Sequence, residues 1–171
     1  MDSGKSRERD FETMVRAHYG ELYRFARWQC RDAFVAEEVV QETFIRAWKG
    51  WDSLREPRAL KSWLYTILVN ENNRAHRRKH PDMADVDLDS LIADESGVES
   101  ALEMRDALEE LPESYREPLL LQVLGGFSCH EIADIIGTTA GATMTRLTRA
   151  RLAMRRLLSG EGERRSGERA S

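Results

Sequence analysis

The sequence predicts an all-α protein: two small helical domains joined by a flexible acidic linker. Apolar residues recur every three or four positions through most of the chain, as in amphipathic helices, and nowhere alternate with the period of two that marks a strand. Charge is also partitioned along the chain. Residues 1–80 hold 16 Lys and Arg against 12 Asp and Glu, residues 81–113 hold 1 against 12, and residues 114–171 hold 9 against 6. The formal net charge of -4 therefore hides two basic-leaning blocks separated by an acidic connector. It says little about what either block binds.

In the first block, Phe11, Met14, Val15, Tyr19, Leu22, Tyr23 and Ala26 fall on one side of a helix that starts near Phe11. A second helix is read from VAEEVVQETFIRAWKGW, where Ala36, Val39, Val40, Phe44 and Ala47 line the apolar face. Glu37, Glu38, Gln41, Glu42 and Arg46 lie elsewhere on that cylinder and stay available to a partner. Gly50 is its expected stop. Beyond a loop carrying Pro57, ALKSWLYTILVNENNRAHRRK places Leu60, Trp63, Leu64, Ile67 and Leu68 on one face and ends in Arg74, Arg77, Arg78 and Lys79. Trp63 falls on the apolar stripe and is expected in the core.

The stretch His80 to Ser100, HPDMADVDLDSLIADESGVES, has five aspartates, no Lys or Arg and few apolar residues, so it buries little surface and is expected to be a flexible linker. Its acids are read either as simple solvation or as a mimic of nucleic acid that screens the basic blocks. Val86, Leu88, Leu91 and Ile92 form a short apolar set suited to docking on a partner.

Periodicity resumes at Ala101 with Leu102, Ala107, Leu108 and Leu111, and Pro112 breaks it. SYREPLLLQVLGG is a further helix ended by Gly125 and Gly126, with Pro118 expected near its start or at a kink. In SCHEIADIIG, Ser128 with Glu131 forms a capping box, Ile132, Ala133, Ile135 and Ile136 supply a buried face, and Gly137 supplies the stop. After the turn TTAG comes a last helix with the stripe Leu147, Ala150, Met154, Leu157 and Leu158. The tail GEGERRSGERAS has nothing to pack and is expected to be disordered. The domain reading is 8–80, a linker 81–100, 101–159 and a tail 160–171.

A short capped helix, a turn closed by glycine and a longer helix with arginines on its outer side is the helix-turn-helix arrangement, whose second helix enters the major groove. With Leu147, Ala150 and Met154 turned inward, Thr145, Arg146, Thr148, Arg149, Arg155 and Arg156 lie on outward or flanking surfaces. Guanidinium forks there meet phosphates or guanine edges, and hydroxyls meet base edges. The five arginines of GATMTRLTRARLAMRR, with no acid among them, are the positive potential a DNA-docking helix needs.

Other chemistries find little support. Cys30 and Cys129 are far apart with no Cys-x-x-Cys pair, and His18, His76, His80 and His130 show no metal-ligand spacing. A phosphate-binding loop and a nucleophile elbow are both missing from the sequence. No metal, cofactor or catalysis is expected. The N-terminal MDSGKSRERDFETM is polar and the longest apolar runs are only a few residues, so the expectation is a soluble, cytoplasmic protein without a membrane segment.

AEEVVQETFIRAWKGW resembles the region 2.2 signature of bacterial sigma factors of the extracytoplasmic-function (ECF) group, within the sigma-70 family. LKSWLYTILVNENNRAHRR resembles regions 2.3 and 2.4, and LEELPESYREPLLLQVLGGFSCHEIADIIGTTAGATMTRLTRAR resembles region 4. The order and separation of the three are far more specific than the helix-turn-helix alone, and together they span roughly Phe11 to Leu158.

The resemblance implies a promoter-specificity subunit whose partners are core RNA polymerase and promoter DNA, and it admits an anti-sigma factor wedged between the domains. It implies that Glu38, Gln41, Glu42 and Arg46, with parts of Val39 and Ile45, dock on the clamp helices of the beta-prime subunit. It implies capture of a flipped minus 10 base by the loop around Leu54 to Ser62 and by Asn70, with Arg74, Arg77, Arg78 and Lys79 on the phosphates of the duplex just upstream. Minus 35 recognition falls to Thr145, Arg146, Thr148 and Arg149, with Arg151 and Arg155 further along.

Two departures stand out. Where the family reads Gly-Thr-Val-Lys/Arg-Ser-Arg, this chain reads Gly141, Ala142, Thr143, Met144, Thr145, Arg146, so a helix-cap hydroxyl and a basic contact are expected to be missing. Arg74 stands where many members carry an aspartate, which is expected to add to the basic surface. The competing reading is a stand-alone helix-turn-helix regulator that binds DNA without polymerase; such a protein has no need of AEEVVQETFIRAW or the SWLYTILVN helix. A third, an adaptor that binds only protein, leaves the arginine helix unexplained.

Overall fold

A computed structural model of the chain describes residues 3–79 and 101–159. The expected linker and tail, with Val86, Leu88, Leu91 and Ile92, lie outside the described residues. The chain divides into two compact units, residues 1–80 and 81–171. Among the described residues there is no strand, and no helix is long and apolar enough to cross a membrane.

Unit 1 holds α1 (Ser3–Gln29), α2 (Ala33–Gly50) and α3 (Leu60–Lys79), with single turns of 3₁₀ helix at Trp51–Ser53 and Pro57–Ala59. Helix α2 begins at an Asp32 cap, whose Oδ1 accepts from the Phe34 N–H at 2.8 Å. Its buried residues are Val35, Ala36, Val39, Val40, Thr43, Phe44 and Ala47. That stripe is two residues wide at each turn, so α2 packs on α1 and α3 at once. Thr43 is tolerated in the core because its hydroxyl donates to the Val39 carbonyl at 2.7 Å.

Two expectations for this unit are corrected. Helix α1 begins at Ser3, eight residues before Phe11. Its polar first turns are tethered by Arg7, which donates to Asp52 Oδ1 (2.9 Å) and the Trp48 carbonyl (3.1 Å) and lies 3.8 Å over the Trp48 ring. On α3 the buried apolar residues are Leu64, Tyr65, Leu68, Val69 and Ala75, while Leu60, Trp63 and Ile67 are half-buried. The stripe is rotated towards Tyr65 because that ring meets Phe25 of α1 edge-on at 5.5 Å and fills the centre of the unit. Trp63 is turned out to the rim, 6.4 Å from Trp51.

Unit 2 holds α4 (Ala101–Glu110), α5 (Glu113–Val123), α6 (Cys129–Ile136) and α7 (Ala140–Ser159). Pro118 lies inside α5 and is buried with Leu119, Leu120 and Leu121. Gly125 closes the following turn, where a Cβ would come within 2.6 Å of the Leu121 carbonyl and of the Phe127 ring. The capping box forms as expected: the Ser128 N–H donates to Glu131 Oε2 (2.7 Å) and the Glu131 N–H to Ser128 Oγ (3.3 Å). Gly137, at φ 72°, ends α6 in the left-handed region. Helix α7 then runs against α4, α5 and α6, burying Thr143, Leu147, Ala150, Ala153 and Met154.

Gly125→Ala is expected to lower the stability of unit 2 by about 1–3 kcal/mol, because the methyl has no room beside Phe127. Gly20→Ala, at an exposed helical position with nothing within 4 Å, is expected to raise the stability of unit 1 by about 0.5–1 kcal/mol. Urea denaturation followed by signals of each unit checks both.

Candidate functional site

The outward side of α7 is set by what it buries. Thr145, Thr148, Arg149 and Arg155 are exposed, opposite Thr143, Leu147 and Ala150, and Met144 is 58% exposed beside them. The hydroxyls of Thr145 and Thr148 donate to the carbonyls of Gly141 (3.1 Å) and Met144 (2.9 Å), which fixes their rotamers and leaves oxygen lone pairs facing out. The expected loss of a capping hydroxyl at Ala142 is made good one turn earlier. Thr139 Oγ1 accepts from the Ala142 N–H at 3.1 Å and opens the helix.

Arg151 and Arg146 of the predicted DNA face meet residues of α5. Arg151 donates to Gln122 Oε1 and so ties α7 to α5. Arg146 is half-buried and acts on Glu117 of α5, whose side chain is 7% exposed. Burial pushes the Glu117 carboxyl up, Glu113 adds to this, and Arg146 and Arg116 oppose it; the result is about 8.

In unit 1 the structure brings together residues that the sequence assigned to two different surfaces. A groove of about 450 Å³ between α2 and α3 is lined by Glu38, Val39, Glu42 and Arg46 on one wall and Glu71, Arg74, Ala75, Arg77 and Arg78 on the other. Glu38, Gln41 and Ile45 are exposed on α2, and Phe34, 73% exposed, extends the same helix face by one turn. Val39, read both on the apolar face and in part on the docking surface, is buried in the core and meets the groove only at its wall. Arg46 pairs with Glu42 Oε1 (3.5 Å) and with the buried Glu71, which also meets Arg74 at 3.7 Å. The basic surface added by Arg74 is thus partly cancelled from within.

Asn70 is exposed on α3, while Asn72, two residues on, is buried and accepts from the Cys30 thiol at 3.0 Å. The side chain of Lys79 lies outside the described ones. A second groove, of about 510 Å³, lies between the first turns of α1 and the loop after α2; Ser6, Arg7, Asp10, Trp51, Leu54 and Pro57 are among its lining residues. Its floor adjoins an aromatic cluster in which Phe11 meets Trp48 at 5.0 Å and Trp51 at 5.2 Å, both edge-on. Among the described residues no group of three or more His, Cys, Asp or Glu is placed to hold a metal ion.

Sequence reasoning missed Glu71 and the part played by the first turns of α1. The signal for Glu71 was present: it follows Leu64 and Leu68 at helical spacing, a charge on a core stripe. The start of α1 gave no apolar signal, since Arg7 holds it through a cation and two hydrogen bonds.

Residues 14–81 match the family described as Sigma-70 region 2, and residues 101–154 match Sigma-70, region 4. The chain is 31% identical over 150 residues to the ECF RNA polymerase sigma factor SigM of Mycobacterium tuberculosis, covering 86% of this chain and 76% of that one. It is 34% identical over 132 residues to the ECF RNA polymerase sigma factor EcfG of Rhodopseudomonas palustris, covering 74% and 73%. Among solved structures, it resembles the sigma factor RpoE of Bartonella quintana, solved in complex with the anti-sigma factor NepR, with a TM-score of 0.70 and 27% identity over 85% of this chain and 94% of that one.

The proton on Glu117 makes unit 2 sensitive to pH. Its folded pKa of about 8 lies above the ordinary 4.5, so the unfolded chain releases a proton that the folded unit keeps. This contribution is fully present below pH 4.5 and is lost as pH rises to 8. Stability of unit 2 is expected to fall between pH 5 and 8 by up to about 1 kcal/mol per pH unit. Glu117→Gln is expected to flatten that slope, as read from urea midpoints across the range.

Proposed function

The chain belongs to the extracytoplasmic-function sigma factors of the sigma-70 family, and from that membership we propose how its two units divide the work of promoter-specific transcription initiation. Unit 1 binds core RNA polymerase and the minus 10 element, and unit 2 binds the minus 35 element. The observation that carries this division is the pairing, in one chain, of a region 2 bundle with a helix-turn-helix whose outer face is threonine and arginine. A DNA-binding regulator acting alone would need only the second.

In this reading Glu38, Gln41, Glu42, Ile45 and Arg46 face the clamp helices of the beta-prime subunit, with Phe34 beside them. The N-terminal half of α7 enters the major groove, where Thr145, Thr148 and Arg149 reach base edges and Arg155 meets a phosphate. Arg146 and Arg151 act from the flanks, holding α7 to the body of the unit. Met144 presents an apolar contact in place of the family's charge, so the preferred minus 35 sequence departs from the usual one.

At minus 10, the loop from Leu54, with the first turn of α3 as far as Ser62, and the amide of Asn70 receive a base flipped from the non-template strand. The groove of about 510 Å³ beside that loop, with Trp51 and Pro57 in its walls, supports this reading. Arg77, Arg78 and Lys79 lie along the adjoining phosphates of the duplex, with Arg74 beside them on Glu71. Sigma factors are not an enzyme class, and the energy of opening comes from binding the melted strand rather than from a reaction on it. An anti-sigma factor is a further partner in this reading; the RpoE protein of Bartonella quintana was solved with one.

The primary test is transcription in vitro from a pool of genomic promoter fragments, with core RNA polymerase and with or without the protein. Discrete transcripts that need the protein are expected. An absence of transcripts, together with tight sequence-specific duplex binding by the protein alone, would instead establish a stand-alone regulator. Arg149→Ala is expected to cost about 1–3 kcal/mol of promoter binding, concentrated at one base position; an equal loss on all duplexes would make it a phosphate contact. Glu42→Lys is expected to weaken binding to core polymerase, and an unchanged affinity would remove Glu42 from that surface.

A further inference from the structure

Glu71 is a carboxylate on a core stripe, 3% exposed. An ionised carboxylate held away from water is costly unless cations meet it. Two do so from different helices, and at the same atom: Arg46 of α2 and Arg74 of α3 both contact Glu71 Oε1. Arg46 also reaches Glu42 Oε1 at 3.5 Å. An alternating row, Glu42, Arg46, Glu71, Arg74, therefore crosses the groove between α2 and α3, with Arg77 and Arg78 along its edge.

The arginine heads are partly in water, with side chains 41% and 54% exposed, whereas the shared acid is dry. A charge fixed on the dry side is screened less by salt than a surface partner would be, so its pull on both guanidinium groups persists at physiological ionic strength. Arg46 is thereby held in one orientation on the α2 face, and part of the charge of Arg74 is neutralised before any phosphate arrives. Arg77 and Arg78 are exposed on α3 and stand beyond this row.

We propose that Glu71 is a positioning residue serving both surfaces of unit 1. It fixes Arg46 for docking on core polymerase, and it withholds Arg74 from promoter phosphates so that Arg77 and Arg78 carry the backbone contacts. The assignment rests on the sigma-factor reading given above. It also accounts for an arginine on this helix that adds less basic surface than its sequence position promises.

The test uses holoenzyme assembled from core RNA polymerase and the full chain, titrated with a promoter fragment, found by the transcription assay, whose duplex upstream of minus 10 runs into a single-stranded non-template minus 10 segment. Binding is measured across a salt series. Glu71→Gln keeps the shape of the side chain and removes its charge. It is expected to steepen the slope of log affinity against log salt by about 0.9, the value of one added duplex phosphate contact. Adding Arg74→Ala to it is expected to return the slope to that of the wild type. In the same variant the concentration of core polymerase at half-saturation rises several-fold, because Arg46 has lost its anchor.

An unchanged slope in folded Glu71→Gln protein, whatever its affinity, overturns the proposal, since a merely structural role weakens binding without adding a phosphate contact. Should that variant fail to fold, Arg74→Ala and Arg77→Ala on the wild-type background decide the matter. Arg74→Ala is expected to lower the slope by less than half as much as Arg77→Ala, and equal decreases overturn the proposal. Wild-type protein that forms no complex with core polymerase would overturn the sigma-factor reading itself, and this assignment with it.

Discussion

The functional surfaces of this protein are what remains after α2 and α7 have buried their apolar stripes. Each unit is small, so its central helix must pack against two or three neighbours to remove enough apolar area from water. Helix α2 does so with a stripe two residues wide, from Val35 and Ala36 to Phe44 and Ala47. Helix α7 does so with Thr143, Leu147, Ala150, Ala153 and Met154. The charged residues are confined to what remains of each circumference. The face of α2 proposed for docking and the face of α7 proposed for DNA are thus each fixed by the core of its own unit.

The ends of the helices fix the rest. Asp32, Ser128 with Glu131, and Thr139 each satisfy backbone N–H groups that would otherwise face the start of a helix unpaired. Gly137 turns the chain through the left-handed region between α6 and α7. These short-range contacts set the angle at which the arginine-bearing helix leaves its neighbour. Small residues at turns therefore govern a surface made of large charged ones.

Charge is managed inside each unit as well as along the chain. Glu71 and Glu117 are both nearly buried acids set against arginines that sequence reading placed on DNA faces. They meet the same difficulty in different ways. Glu71 sits between Arg46 and Arg74, while the Glu117 carboxyl is pushed up by burial and keeps its proton near neutral pH. Counting arginines on an exposed helix therefore overstates the positive potential offered to DNA at Arg74, while Arg146 is set back by its own partial burial.

The sequence by itself determined the helices, the family and most of each core, because periodicity and capping act within a few residues of one another. Ala36, Val40, Phe44, Leu147, Ala150 and Met154 were legible from spacing alone, as were the Ser128 cap and the Gly137 stop. What only the tertiary structure decided was the rotation of each stripe and the pairing of charges across helices. Trp63 lies at the rim because Tyr65 fills the space against Phe25. Arg46, 25 positions before Glu71, meets it because α2 and α3 pack side by side. Contacts of that separation depend on how helices pack, and local sequence carries no record of it.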